Sequence, residues 1–434
     1  MKKVTRRDIM KAGAGLAVLG VAGDLVLPAG AVATSFTPEK GAALRVLRWK
    51  RFVQGDEDLW NANTKKFTEL TGVKVKIDTE SWEDVRPKAA VAANIGSGPD
   101  IIIGWYDDPH QYPDKLVDLT DLAEGLGNEL GGWYPVCESY GKRDGRWIAL
   151  PLGAAANCLV YRESWIKEAG FDKFPADTDG FLKLCQALKK NGHPPGFALG
   201  NAVGDGNMWT HWLLWTFGGK MVNDNNEVVI NSPETVKALE YAKELYQTFI
   251  PGTASWLDSH NNKAFLSDKI SITNNGISIY YAAKSKNMPI AKDINHSPFP
   301  IGPVGRPTEL HLFTQAMVFK YSKYPNAAKE YLRFMWSKEQ YEPWQQAAMG
   351  YITQPLKAYE ANPIWTSDPK HTPYRDTLAR MLPNGYSGTL GYASAAVMAD
   401  FIVVNMVAEA ATGAVSPKAA AAKAEKRAKR YYRV

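Results

Sequence analysis

The chain has 434 residues, of which 45% are hydrophobic, 22% are charged and three are cysteines. That length exceeds what one hydrophobic core normally supports, so two lobes are expected, and the ordinary composition excludes a disordered, collagenous or disulfide-framed chain. The formal charge of +6 sits at the ends: residues 1–33 carry a net +3 and Lys418–Arg433 a net +6, leaving a mildly acidic body that is no footprint for nucleic acid.

In chain order, Thr5-Arg6-Arg7-Asp8-Ile9-Met10-Lys11 stands before a soft apolar run from Ala12 to Ala22, and Ala31-Val32-Ala33 supplies small residues. This is the layout of a twin-arginine export signal, so a mature chain starting near Thr34 and working in the periplasm is expected. Ala43–Leu47 predicts a strand. Leu59, Phe67 and Leu70 recur at helical spacing ahead of Gly72. Val73–Ile77 alternates as a half-exposed strand should. Val85–Ile95 predicts a helix stopped by Gly96-Ser97-Gly98-Pro99, and Asp100–Gly104 predicts a buried strand. The alternation of strands and helices argues for an α/β fold with a mostly parallel sheet.

Further along, Asn157–Tyr161 predicts a strand. Asp177 or Thr178 is expected to cap a helix from Gly180 to Lys189, and Ser232-Pro233 to start another whose apolar stripe is Val236, Leu239, Ala242, Leu245 and Phe249. Asn223–Asn226 predicts a turn; it lacks the ligand spacing and glycine of a calcium loop. Ala393–Ala411 is apolar, but Asp400, Asn405 and Glu409 argue against a membrane span. Cys137, Cys158 and Cys185 are too widely spaced for a zinc, haem or iron–sulfur site, and buried free thiols are expected rather than one disulfide.

In a parallel sheet, ligands sit beyond the carboxyl ends of the strands. The residues to watch are therefore Trp49 to Phe52, Asp78 to Trp82 and Trp105 to Asp108.

Gly98-Pro99-Asp100-Ile101-Ile102-Ile103-Gly104-Trp105 resembles the "GPDI" strand of extracellular solute-binding proteins of family 1, the carbohydrate-binding subunits of ABC importers, to which maltose-binding protein is distantly related. Further resemblances follow in the family's order. They are Trp147 to Tyr161, Leu214-Trp215-Thr216-Phe217-Gly218-Gly219, Ile270 to Gly276, Pro300-Ile301-Gly302-Pro303 and Tyr351-Ile352-Thr353-Gln354-Pro355, with Thr412-Gly413 and Ser416-Pro417 before the last helix. The family's aromatic after the "inG" motif is replaced by Ile277-Ser278, with Tyr280 and Tyr281 coming later.

The resemblance implies a two-lobe periplasmic-binding-protein fold with the ligand cleft between lobes joined by crossover segments. Crossings are expected near Gly153–Asn157, His311–Met317 and after about Ala361. One lobe would comprise residues 34–155 with 316–360, the other 156–315 with 361–434. The implied partners are a small-molecule ligand, closed upon by the lobes, and the permease subunits of an ABC transporter in the inner membrane. A monomer is expected, needing neither metal nor organic cofactor, with no catalytic residue.

A sugar needs planar polar side chains for its hydroxyls and aromatic rings for its C–H faces; an unpaired buried hydroxyl costs about 1–3 kcal/mol. The first candidates are Trp105, Tyr106, Asp107 and Asp108. Next are Asn207, Trp209 and His211 beside Gly204-Asp205-Gly206, with Trp212 and Trp215 assigned to the core. Asn274, Asn275 and Tyr280 follow, then His311 and Gln315, with Glu309 beside them. Tyr351 and Gln354, then Trp82, Arg51 and Tyr392, complete the set; Arg51 would matter for an acidic ligand. The rival expectation is a cationic non-sugar, such as a polyamine or quaternary amine, held by aromatic rings and acids. A carbohydrate-active enzyme using Asp107 with Asp108, or Asp108 with Glu309, is disfavoured. Two adjacent acids point apart, and no Gly-x-Ser-x-Gly, His-Glu-x-x-His or phosphate loop occurs. A structural or adhesion protein has no repeat to support it.

Overall fold

The computed structural model describes residues 35–433; the twin-arginine segment lies outside the described residues. Three strands, β1 (Ala43–Trp49), β2 (Lys74–Glu80) and β3 (Ile101–Trp105), run parallel with β1 in the middle. Helix Gln54–Thr71 carries β1 into β2, and helix Trp82–Ile95 carries β2 into β3. Each helix stops at a left-handed glycine, Gly72 at φ 75° and Gly96 at φ 66°. β2 is the edge strand, and its Lys74 and Lys76 face solvent, whereas every residue of β3 is buried.

A tight hairpin of β4 (Lys142–Arg143) and β5 (Arg146–Trp147) turns on Asp144 and Gly145, both at positive φ, ahead of β6 (Leu150–Ala155). The chain then crosses into a second sheet. Its central strand β7 (Cys158–Arg162) is flanked by β8 (Ile272–Asn275) and β9 (Ile294–Ser297), both antiparallel to it. β10 (Leu312–Val318) returns to the first sheet and fits between β3 and β6, giving the order β2-β1-β3-β10-β6. At Gly153 in β6, a Cβ would lie 2.0 Å from the Thr353 carbonyl oxygen, so only glycine admits that neighbouring backbone.

The helices around the second sheet start where the caps predict. The Asp177 carboxylate accepts from the Gly180 N–H at 2.8 Å, and the Ser232 hydroxyl from the Thr235 N–H at 3.2 Å. Helix Asp205–Thr216 is buried on every side, and two of its three tryptophans find internal acceptors: Trp209 donates to the Ala198 carbonyl and Trp212 to that of Pro300. Residues 392–411 form two helices, Tyr392–Ala399 and Ile402–Ala411, broken at Phe401 (φ 50°). The second is sunk among protein helices. All three cysteines are buried and unbridged.

The inner face of helix Gln54–Thr71 differs from the periodicity first read. Leu70 is 67% exposed, and the buried residues are Asp56, Trp60, Asn63, Thr64 and Phe67. Large aromatic partners decide this. Trp60 packs edge-on against Trp336 and Trp344, and Phe67 against Tyr331.

At the top of that face Asp56 is fully buried. It accepts from Arg48 Nη2 at 2.6 and 2.7 Å, from Trp49 Nε1 at 3.1 Å and from Trp344 Nε1 at 2.9 Å. The guanidinium lies between the Trp49 and Trp60 rings, with centroids 4.3 and 4.5 Å away. Removing one partner of such a pair strands a buried charge, at a cost of about 3–5 kcal/mol. Asp56→Ala should therefore lower unfolding stability by about that amount in urea denaturation; a loss below 1 kcal/mol would show that Arg48 finds water or another acceptor.

Candidate functional site

Because β1, β2 and β3 are parallel, the loops that leave their carboxyl ends emerge along one edge of the sheet. The first supplies Phe52 and the second Trp82. Trp82 stacks on Trp105 (centroids 4.4 Å apart, planes 5° apart), and Trp49 packs against both. The Trp105 indole N–H donates to the Trp82 carbonyl at 3.1 Å, fixing the front ring from behind. Phe52, Trp82 and Tyr351 form the aromatic wall of a cleft. At Gly276 a Cβ would stand 3.2 Å from the Ala156 carbonyl oxygen, so glycine suits this close approach to the crossing.

The facing wall is polar and comes from the second sheet and its helices: Asn157, Asp205, Asp258, Asn275 and Ser278. Asp205 opens helix Asp205–Thr216. Its carboxylate accepts from Asn157 Nδ2 at 2.9 Å, Asn261 Nδ2 at 2.8 Å and Asn275 Nδ2 at 3.2 Å. The backbone N–H groups of Gly204 and Asp205 donate in turn to Asp258. Burial pushes Asp258 up to about 6, despite those N–H bonds. Burial, and then the Asp258 charge, pushes Asp205 far above the usual carboxylate range. Two residues that line the cleft each carry a buried polar atom, Trp82 Nε1 and Asn157 Oδ1, without a hydrogen-bond partner among the described residues.

The crossings run beside this wall. The Asn157 N–H donates to His311 Nδ1 at 3.2 Å, which leaves the other ring nitrogen to donate to Glu309 at 3.0 Å. Arg380 Nε also reaches Glu309, at 3.2 Å. Burial opposes the Glu309 charge, yet His311 and Arg380 outweigh it and hold the carboxyl below its ordinary value.

Of the residues singled out from the sequence, Trp82, Asn275 and Tyr351 line the cleft. Trp105 backs Trp82, Asn274 donates to the Asp205 carbonyl at 3.0 Å, and His311 holds the crossing. Tyr106 (φ 44°) reaches the Val203 carbonyl through its hydroxyl, tying the end of β3 to the loop before helix Asp205–Thr216, and Gln315 in β10 donates to the Tyr106 carbonyl at 2.6 Å. Asp107 turns to Asn384 and Ser394, and burial pushes its carboxyl up to about 6. Asp108 turns instead to Arg86 at 2.6 Å, so the two acids do not face one another. Asn207, Trp209 and His211 lie inside the buried helix, with His211 Nδ1 2.8 Å from the Asn207 carbonyl. Tyr280 donates to Asp368 at 2.7 Å, and Gln354 is buried against Tyr134. Arg51 is exposed near Glu57, and Tyr392, 60% exposed, sits in a separate surface groove with Tyr431 and Arg433.

Sequence reasoning placed Phe52 among the residues to watch past the first strand, but did not name Asp205, Asp258 or Asn157 as site residues. Asp205 carried a signal, being flanked by Gly204 and Gly206 at a helix start. Asp258, between Leu257 and Ser259, carried none.

The family described as bacterial extracellular solute-binding protein matches residues 62–373. A "probable ABC transporter-binding protein" of Deinococcus radiodurans is 24% identical over 226 residues, which cover 50% of this chain and 54% of that protein. The chain spans between about half and two thirds of the length of the first curated relatives it matches. Maltose-bound MalE3 of T. maritima superposes with a TM-score of 0.77 at 20% identity, covering 89% of this chain and 99% of the other. A sugar transporter from Arthrobacter chlorophenolicus with bound laminaribiose gives 0.77 at 19%, covering 90% and 99%. These structural likenesses establish the two-lobe fold.

The raised pKa of Asp258 sets a stability difference. From an ordinary value near 3.9 to about 6, the native state keeps a proton that the unfolded chain has lost. The associated stability is full below the ordinary value and is lost as pH rises through about 6. Asp258→Asn stays neutral throughout, so its stability relative to wild type should rise as pH increases through that window. Buried His110 and His211, both pushed down to about 4 by burial, act oppositely but equally in both proteins. Thermal melts of the pair across the window measure the difference, and a flat difference would place the Asp258 charge elsewhere.

Proposed function

Because this chain belongs to the bacterial extracellular solute-binding proteins, we propose that it captures a carbohydrate, a sugar derivative or a polyol in its cleft and delivers it to the permease of an ABC importer. The observation that carries this is the pairing of two unlike walls. Phe52, Trp82 and Tyr351 offer ring faces for C–H bonds, and Asn157, Asp205, Asp258 and Asn275 offer the planar polar groups that hydroxyls need.

The two solved relatives named above carry maltose and laminaribiose, which supports a carbohydrate here. Capture proceeds by closure of two lobes, one built on each sheet, around the crossings at residues 155–158 and 308–312. Asn157, His311, Glu309 and Arg380 tie those crossings to the segment near Arg380. The family's extracellular placement supports export, with Arg6-Arg7 as its address and the periplasm as the working compartment. The protein acts as a monomer and catalyses nothing. Asp107 and Asp108 are engaged with different partners, so they do not form a carboxylate pair for glycoside hydrolysis.

Thermal unfolding of the mature chain with sugars, sugar acids and polyols tests this. A ligand at 100 times its dissociation constant adds about 2.7 kcal/mol, which should raise the midpoint by roughly 2–4 °C or more. Trp82→Ala should weaken that ligand about tenfold or more while leaving the fold intact. A panel in which no sugar or polyol moves the midpoint would overturn the proposal.

A further inference from the structure

Two buried acids line the cleft with no cation beside them. Asp205 and Asp258 are 5% and 7% exposed, and both line it. No lysine, arginine or histidine lines it. Asp205 is satisfied by neutral amides and Asp258 by backbone N–H groups. Other buried acids in this protein take a cation: Asp56 has Arg48, Asp108 has Arg86 and Glu309 has Arg380. Asp107, with Asn384 and Ser394, is an exception outside the cleft.

A buried carboxylate without a counter-charge is costly, and it is relieved by a proton or by a cation. Of the charged groups nearby, Arg48 and Arg86 are already engaged, and Glu83 adds negative charge toward Asp258. No group of three or more His, Cys, Asp or Glu among the described residues could hold a metal ion.

We infer that the ligand is an amino sugar or amino polyol, whose protonated amine lies between Asp205 and Asp258 while its carbon face lies on Trp82. This rests on the reading that the cleft takes a carbohydrate-like ligand. An ammonium brings three donors and no acceptor. The polar wall offers acceptors to match in the two carboxylates. The opposite wall is aromatic, with Phe52, Trp82 and Tyr351, and suits the carbon face of a ring, which a bare polyamine lacks. Amine and ring on one small skeleton answer both walls.

The test uses the mature chain and matched probes in calorimetric titration and thermal unfolding. These are D-glucosamine against D-glucose, D-galactosamine against D-galactose, glucamine against sorbitol, N-acetylglucosamine as the uncharged form, and spermidine as charge without a ring. At least one aminated member should bind about tenfold or more tighter than its neutral partner, as expected for a charge-assisted contact. Asp205→Asn and Asp258→Asn should abolish that preference, whereas Trp82→Ala should weaken both members of the pair. The wild-type comparison decides the matter even if a variant fails to fold. Neutral partners binding equally or better would overturn this inference and leave the carbohydrate reading standing. Binding by spermidine alone would overturn both. Absence of binding by every aminated probe would overturn the amine.

Discussion

The Asp205 carboxylate accepts hydrogen bonds from three amides that lie 48, 56 and 70 residues away along the chain. Its own helix, the crossing at Asn157, the helix carrying Asn261 and strand β8 must therefore converge on one point. A buried carboxyl tolerates no looser arrangement, because every missing donor leaves a desolvated polar group unsatisfied. The polar wall of the cleft follows from that demand. Its groups are held in place before any ligand arrives, which lowers the ordering cost of binding.

The aromatic wall is fixed by an equivalent device. Asp56 gathers Arg48, Trp49 and Trp344 around one carboxylate, and so anchors the end of β1, the following helix and the helix Lys338–Ala347. From that anchored base, Trp49 leans on the stacked pair of Trp105 and Trp82, which extends to the cleft. Each wall thus rests on a buried acid, but with opposite charge balance. Asp56 is neutralised by Arg48, whereas Asp205 and Asp258 have only neutral donors. The structural acid is closed off, and the pair in the cleft keeps capacity for a partner from outside.

Much of this molecule was legible in local pattern. Alternation in β2, the all-apolar β3, the glycine stops at Gly72 and Gly96, and the caps at Asp177 and Ser232 all act within a few residues. Trp82 could be singled out because the rule of strand ends points to it. The inner face of helix Gln54–Thr71 could not be read the same way. Leu70 has the right spacing, but the aromatic rings that claim Trp60 and Phe67 come from residues 331–344.

By itself, then, the sequence determined the alternating strands and helices, the parallel start of the first sheet, the ordered family motifs and the supply of aromatic and polar residues for a sugar-like ligand. Each depends on propensity, capping or periodicity over short spans. Only the tertiary structure decided which acids face the cleft. Asp107 and Asp108 follow a strand end, yet they are drawn aside by Asn384 and Arg86, while Asp205 and Asp258 are brought together from separate segments. The reason is physical. A carboxylate's place is set by the donors that can reach it, and here those donors lie far away in the chain.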